Sequence, residues 1–289
     1  MFLSEDPSPA IAARLKTRVA GCVAVRGGSI NRAFRVELVN GQRLFLKLNS
    51  APNFPQLLSL EAAGLKLIAE QQLIRTPQVI DLWDDGALQF LVLEWIDEGP
   101  RDAAFWAHFG RSLALLHQQQ GPVFGAVPDN YMGAVPQSNR NGNSWSAFFV
   151  TERIEPMLRR CRDAGLVDAA LLQRFAAIRA PLEQLFPEAA PCLVHGDLWS
   201  GNFLCAAGGE PVLIDPAAYW GERSVDLAMT NLFGGFSPTF YAAYHEAYPL
   251  PPQHRDQWAL MNLYPLLIHL YLFGPHYRAA IEDSLRKFG

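Results

Sequence analysis

The chain has 289 residues, 50% of them hydrophobic and 18% charged, with a net charge of −4. That composition describes a folded globular protein of one large domain or two lobes, and it excludes an intrinsically disordered chain. The negative balance excludes a general attraction to nucleic acid or to an anionic membrane. Cys22, Cys161, Cys192 and Cys205 are scattered, with no C-x-x-C and no His at metal spacing, and read as the reduced thiols of a cytoplasmic protein. Residues 1–9 carry Glu5 and Asp6 and no apolar h-region, so they are not read as a signal peptide. The apolar run 258–273 is broken by Asn262, Pro265 and His269 and is too short to span a bilayer.

In chain order, residues 8–20 read as a helix, with Ser8 as N-cap and Pro9 at its first position. Residues 23–38 read as strand, glycine-containing turn and strand, and Asn40-Gly41 signals a hairpin into a strand over 43–48. The Gly27-Gly28-Ser29 tip can lay backbone N–H groups and a hydroxyl over phosphates, although a lone Gly-Gly-Ser is also an ordinary hairpin turn. In the third strand, period-two alternation places Leu44, Leu46 and Leu48 on one face and Phe45 and Lys47 on the other. A Lys in so apolar a strand needs a partner, because an unpaired buried ammonium is costly. Residues 56–72 have helical periodicity, and Glu61 lies on the same stripe as Leu57, Leu65 and Ile68. A carboxylate on a buried helix face calls for a cation, and Lys47 is the candidate. Two further strands, 79–83 and 89–95, flank Asp84-Asp85-Gly86. The segment from Ile96 to Pro100 has linker composition and sets the expected boundary between an N-terminal lobe, 1–95, and a C-terminal lobe, 96–289.

From Asp102 the character is helical, with Phe105, Phe109, Leu113 and Leu116 at helix spacing and His117 as a helix-end or core histidine. Residues 118–143 are rich in Gly, Pro, Asn and Gln and read as a long irregular connection, a candidate lid on the substrate side. Helices are expected over 144–162 and 171–185. The last sixty residues are helical and aromatic-rich. Asp226 opens one of their helices and either caps it or braces the loop that begins at His195; bracing is favoured.

That loop carries the chemistry. An apolar run ends in His195-Gly196-Asp197, and Asn202 follows five residues later. Residues 203–205 and 211–214 read as two short strands around Ala206-Ala207-Gly208-Gly209, which makes Asn202 and Asp215 neighbours at a hairpin mouth. Two oxygen ligands there suit Mg²⁺, and Asp197 is placed to take a proton from a hydroxyl. Asp-x-x-x-x-Asn with a later strand-end Asp is the base–ligand–ligand constellation of protein-kinase phosphoryl transfer, and the strand Lys47 with the helix Glu61 matches the ion pair that holds the phosphate-contacting Lys. On that reading, ATP phosphates meet Lys47 and the Gly27-Gly28-Ser29 tip. Backbone groups of Glu94, Trp95 and Ile96 are expected to face adenine, from position alone.

The chain resembles the fructosamine kinase (ketosamine-3-kinase) family, a branch of the aminoglycoside- and choline-kinase-like group. The resemblance runs over nearly the whole chain. His195-Gly196-Asp197-Leu198-Trp199-Ser200-Gly201-Asn202 and Asp215-Pro216-Ala217-Ala218-Tyr219-Trp220-Gly221 are its most specific pieces. Asp226 to Met229, Phe233-Gly234-Gly235-Phe236 and Trp145 to Arg153 add to them. The resemblance implies an α+β, bilobal protein-kinase-like fold. It implies ATP-dependent phosphorylation of a sugar hydroxyl on a ketosamine, small or protein-bound, leading to deglycation as the phosphorylated product releases its amine. It implies Asp197 as base, Asn202 and Asp215 on Mg²⁺, and Gly27, Gly28, Ser29 and Asn31 over the phosphates. Trp199, with Tyr219 and Trp220, is the candidate for substrate contact, and a cytoplasmic monomer is expected.

Other acceptors stay open on this reading: an aminoglycoside, choline, homoserine or a free sugar. Residues 229–289 hold four acids (Glu246, Asp256, Glu282, Asp283) and four Lys/Arg (Arg255, Arg278, Arg286, Lys287), a balance that argues against a strongly cationic acceptor. A non-catalytic nucleotide-binding scaffold is disfavoured by the joint presence of Lys47, Glu61, Asp197, Asn202 and Asp215.

Overall fold

The computed structural model describes residues 6–25 and 30–288. A helix, α1 (Ser8–Leu15), precedes β1 (Val19–Val25), β2 (Arg32–Leu38) and β3 (Arg43–Ser50). Then come α2 (Leu57–Ala69), β4 (Val79–Asp84) and β5 (Leu88–Glu94). The five strands form one antiparallel sheet in the order β1-β2-β3-β5-β4. The alternation expected in β3 decides what each face meets. Leu44, Leu46 and Leu48 pack with Ile11 of α1, Val36 and Phe90, while Phe45 joins Leu57, Leu58 and Leu65 of α2 on the other face. Lys47 shares that second face, so it points toward the helix that carries Glu61.

The first helix is shorter than expected. Lys16 turns left-handed at φ 52° and its N–H closes onto Ala12 O, so β1 begins at Val19 and pairs across a bulge with β2. Sheet pairing of a segment with β-branched Thr17 and Val19 overrides the helical periodicity. Asp6, not Ser8, supplies the side-chain acceptor at the helix start, taking Ser8 N–H at 3.0 Å.

The remainder is mostly helical. Asp102 caps α3 (Ala103–His117) by accepting Phe105 N–H at 2.8 Å. The connection that follows is not wholly irregular: it contains a hairpin of β6 (Asn130–Met132) and β7 (Val135–Gln137). The expected helix over 144–162 is α4 (Trp145–Phe148), a π-helical segment (Phe149–Ile154) and α5 (Glu155–Asp163). Helix 171–185 is split into α6 (Ala169–Ala176) and α7 (Arg179–Leu185). Pro181 lacks the N–H that would bond back to residue 177, so a continuous helix is interrupted there. Short strands β8 (Cys192–Val194), β9 (Phe203–Cys205), β10 (Pro211–Leu213) and β11 (Tyr219–Gly221) pair as β8–β11 and β9–β10. The chain closes with α8 (Ser224–Leu232), α9 (Pro238–Ala247), α10 (His254–Met261), α11 (Leu263–Phe273), a 3₁₀ turn (Pro275–Tyr277) and α12 (Arg278–Leu285).

One large apolar core runs through these helices, from Phe105 and Phe109 of α3 to Leu267 of α11 and Ile281 of α12. A ring cluster at its heart, Phe109, Phe203, Phe236 and Phe240, ties α3 and α9 to β9 beside the Asn202 loop. Among the described residues, no helix is long and apolar enough to cross a membrane.

Candidate active site

Strand β8 delivers the loop that starts at His195. Gly196 sits at φ +83°, and a Cβ there would fall 2.3 Å from Ala217 O, so the position demands glycine. His195 is fully buried. Its Nε2–H donates to Ile214 O at 2.8 Å and its Nδ1 accepts Asp197 N–H at 3.3 Å, which joins the Asp197 loop to the strand end before Asp215. Burial lowers the pKa of the ring, consistent with this neutral tautomer. Asp226 braces the same loop from α8. Its carboxylate accepts His195 N–H at 2.7 Å and Gly196 N–H at 2.8 Å, and lies 3.1 Å from His117 Nε2. His117 Nδ1 is 2.9 Å from Tyr244 OH, so the helix-end histidine of α3 is a buried link between α8 and α9. Burial works to raise the Asp226 pKa, but His117, His195 and the Gly196 N–H hold it below its ordinary value.

The β9–β10 hairpin sets Asn202 and Asp215 side by side: Ile214 N–H donates to Asn202 O at 3.1 Å. Asn202 Nδ2 donates to Asp197 O at 2.8 Å and to Asp197 Oδ2 at 3.0 Å. Its amide nitrogen is thus engaged by Asp197, and among the described residues no donor reaches Asn202 Oδ1. Asp215 occupies the left-handed region at φ +57°, a strained backbone for a residue with a side chain.

Lys47 Nζ lies 2.7 Å from Glu61 Oε1 and 2.5 Å from Asp215 Oδ1. Lys47 and Glu61 are 3% and 9% exposed, so this is a buried ammonium between two carboxylates. Burial opposes the Lys47 charge, yet Asp215 and Glu61 together hold its pKa above the ordinary value. Burial raises Glu61, the Lys47 ammonium opposes the rise, and the Asp215 charge adds to it. Burial and the Asp215 charge also raise Asp197 well above the carboxylate range, against the Asn202 bond.

Glu61, Asp197, Asn202 and Asp215 face one cleft of about 490 Å³, and Lys47 is ion-paired to two of them. Asn31, Glu61, Asp197, Trp199, Asn202 and Asp215 line it, together with Asn130 to Gly133 of the β6–β7 hairpin. Asn31 Oδ1 accepts from Asn49 Nδ2 at 2.5 Å. Gly27, Gly28 and Ser29 lie outside the described residues.

Four chain-order expectations need correction or refinement. Tyr219 is not a cleft residue: it is 1% exposed, packed under the Arg153 guanidinium at 4.2 Å and beside Phe148. Trp220 points elsewhere too, against Gly121, with its backbone paired to Gly125. Proximity to Asp215 in sequence made both candidates, but β11 is locked into β8 and turns its side chains into the core and the connection. Glu94 N–H is taken by Gln78 O at 3.0 Å and its carboxylate by Arg75 at 2.6 Å, so neither of these groups is open to adenine. Finally, the 118–143 connection, expected to be irregular, holds the β6–β7 hairpin at the cleft, where Tyr131 OH donates to Pro55 O at 3.1 Å and Asn130 Nδ2 to Ala218 O at 3.0 Å.

The family model described as fructosamine kinase matches residues 9–288. The chain belongs to the fructosamine kinase family. A probable ketoamine kinase of Synechocystis is 40% identical over 268 residues, covering 91% of this chain and 88% of that protein. The crystal structure of a candidate fructosamine-3-kinase from Thermobifida fusca superposes with a TM-score of 0.87 at 34% identity, covering 96% of each chain. A macrolide 2'-phosphotransferase from Brachybacterium faecium shares the fold alone, with a TM-score of 0.58 at 16% identity over 99% of this chain and 98% of that one. This family member is therefore an ATP-dependent phosphotransferase acting on an alcohol group, with the α+β protein-kinase-like fold.

Reading the sequence missed part of the site. Ile96, Ala206 and Val212 form a buried apolar patch with partly exposed Leu204 and Ile214, beside the segment expected to face adenine. Leu204 and Ile214 alternate with buried neighbours in β9 and just after β10, a period-two signal that was available. Phe233, His269, Phe273 and Tyr277 also line the cleft. Nothing local distinguishes them from the other aromatics of the last sixty residues.

Proposed function

We propose that this protein phosphorylates a sugar hydroxyl of ketosamines with ATP and Mg²⁺, and that the phosphorylated product then releases its amine. The observation that carries the reading is the convergence of Glu61, Asp197, Asn202 and Asp215 on one cleft, with Lys47 ion-paired to Glu61 and Asp215, in a ketoamine kinase homologue.

Asp197 takes the proton of the acceptor hydroxyl, and the Asn202 amide nitrogen holds its carboxylate in place. Asn202 Oδ1 and Asp215 would hold Mg²⁺. They fit it as hard oxygen donors, two in number, which leaves the rest of an octahedral shell to phosphate and water. When bound, Mg²⁺ supplies charge neutralisation on the phosphates. Lys47 adds its ammonium, held in place by Glu61, while Gly27, Gly28, Ser29 and Asn31 cover the phosphates. The backbone of Trp95 and Ile96 meets adenine above the patch around Val212. Trp199, 40% exposed in the cleft, offers its ring to the sugar. Most of the rate enhancement comes from positioning and electrostatics. The lobes divide at 95/96, and the protein works as a cytoplasmic monomer.

The test is ADP release with Mg-ATP and, in parallel, ribulosyl-lysine, fructosyl-lysine, free ribose, choline and kanamycin. Turnover confined to the two ketosamines is expected. Turnover on choline or kanamycin alone would replace the acceptor and end the deglycation reading.

A further inference from the structure

Phosphoryl transfer accounts for the Asp197 end of the cleft but not for a second part of its lining. There Phe233 at the end of α8 meets His269 and Phe273 of α11 and Tyr277 of the 3₁₀ turn after it. The ring centroids of Phe233, Phe273 and Tyr277 lie 4.8, 5.3 and 5.0 Å from that of His269. Phe233 and Phe273 are 40% and 48% exposed, so these rings do more than fill a core. All four residues line the same cleft as Asp197 and Trp199.

His269 is the hub of the cluster. Its Nδ1 lies 2.7 Å from Pro265 O, which can only accept, so Nδ1 carries the proton and Nε2 is an acceptor. Among the described residues no donor reaches Nε2. Burial lowers the pKa of the ring, which favours this neutral form. Helix α11 ends at Phe273, where the last carbonyls carry partial negative charge. Aromatic faces attract a cation, and so does a helix C-terminus. A neutral ring nitrogen with a free lone pair asks for an N–H donor. Asp197 adds negative charge to the same cleft, whereas the charges of Glu61 and Asp215 are paired with Lys47.

We propose that Phe233, His269, Phe273 and Tyr277 form an amine subsite that binds the protonated secondary amine of the acceptor, with its N–H on His269 Nε2. This rests on the ketosamine reading and deepens it: a ketosamine carries a basic secondary amine, which a free sugar or an ether analogue lacks. A site built to pair with a substrate N–H discriminates strongly against an analogue without one, because its own polar group is left unpaired.

The experiment compares kcat/KM of the full chain, with Mg-ATP, for a 1-alkylamino-1-deoxyketose and for the 1-O-alkyl ether of the same sugar. The wild-type enzyme is expected to prefer the amine by about tenfold or more. His269→Phe keeps a ring and removes the acceptor, and Phe233→Leu removes a half-exposed ring at little risk to folding. Each is expected to pull the amine-to-ether ratio toward unity, through the KM of the amine rather than the KM of ATP. A ratio measured on one sample does not depend on the active fraction, so partial misfolding cannot imitate the result. Equal turnover of amine and ether by the wild type, or an undiminished ratio in both variants, overturns the subsite and leaves the ketosamine reading standing. Release of ADP with neither acceptor overturns that reading and the subsite with it.

Discussion

Lys47 sits between Glu61 and Asp215, and the two contacts answer different needs. Glu61 is buried and, among the described residues, pairs with no other cation, whereas Asp215 is 38% exposed on its side chain and faces the cleft. Lys47→Met therefore leaves Glu61 as an uncompensated buried carboxylate. That is expected to cost about 3–5 kcal/mol, read as a lower urea midpoint, and to abolish turnover. Asp197→Ala is expected to lower kcat by about 10²–10⁴-fold, the range for loss of a general base, without lowering Tm, since it removes a carboxylate whose charge is opposed by burial. Wild-type-like turnover of that variant would remove Asp197 from the proposed role. Asp226 gives a pH prediction. Its folded pKa is held below the ordinary 3.8 despite burial, by His117, His195 and the Gly196 N–H. Its stabilising contribution is therefore fully present above 3.8 and is lost as pH falls through the lower folded value. Asp226→Asn is expected to destabilise the protein at neutral pH and to flatten the loss of stability in the acid range, measured as urea midpoints against pH.

Elements carry these residues into place through a few close contacts. Helices α3 and α9 approach at Gly110, where a Cβ would fall 2.3 Å from Phe240 O. That atom is backbone and cannot swing away. Gly110→Ala is expected to force the helices apart at a cost of about 1–3 kcal/mol, the range for overpacking. The drop in Tm should be about 2–4 °C for each kcal/mol, and an unchanged Tm would show that the contact yields more easily than its geometry indicates. The π-helical segment has its own consequence. It presents Arg153, fully buried, so that its Nη2 donates to Asn139 Oδ1 at 2.7 Å and its guanidinium lies over the Phe148 and Tyr219 rings. One side chain thereby ties the helix to the end of the β6–β7 connection and to β11. This is why Tyr219 belongs to the core although Asp215 and Pro216, a few residues before it, line the cleft.

At the scale of the whole molecule, the cleft draws its lining from both ends of the chain. Glu61 comes from α2, Tyr131 from the β6–β7 hairpin, Asp197 and Asp215 from the central loops, and His269 from α11. A ligand that binds there is linked to the stability of all of them. MgATP at a hundred times its Kd is expected to stabilise the fold by about 2.7 kcal/mol, seen as a rise in Tm. Asp215→Ala is expected to lose most of that rise while retaining a cooperative unfolding transition. A full rise in the variant would exclude Asp215 from nucleotide and metal binding.

The sequence by itself determined the sheet of the N-terminal region, the Lys47–Glu61 contact, the adjacency of Asn202 and Asp215, and the family. Each of these rests on a short-range rule. Period-two alternation put Lys47 on the face opposite its leucines, the helical repeat put Glu61 on the buried stripe, and a hairpin brought its flanking residues together. Only the tertiary structure decided which aromatics face the cleft. Trp199 does, while Tyr219 and Trp220, equally close to the motif, do not, because β11 pairs with β8 and Arg153 covers Tyr219. It also decided that Phe233 meets His269, Phe273 and Tyr277, and that α1 ends at Leu15. The physical reason is the same in each case. Local periodicity says which residues share a face, but what that face meets depends on partners far away in the chain.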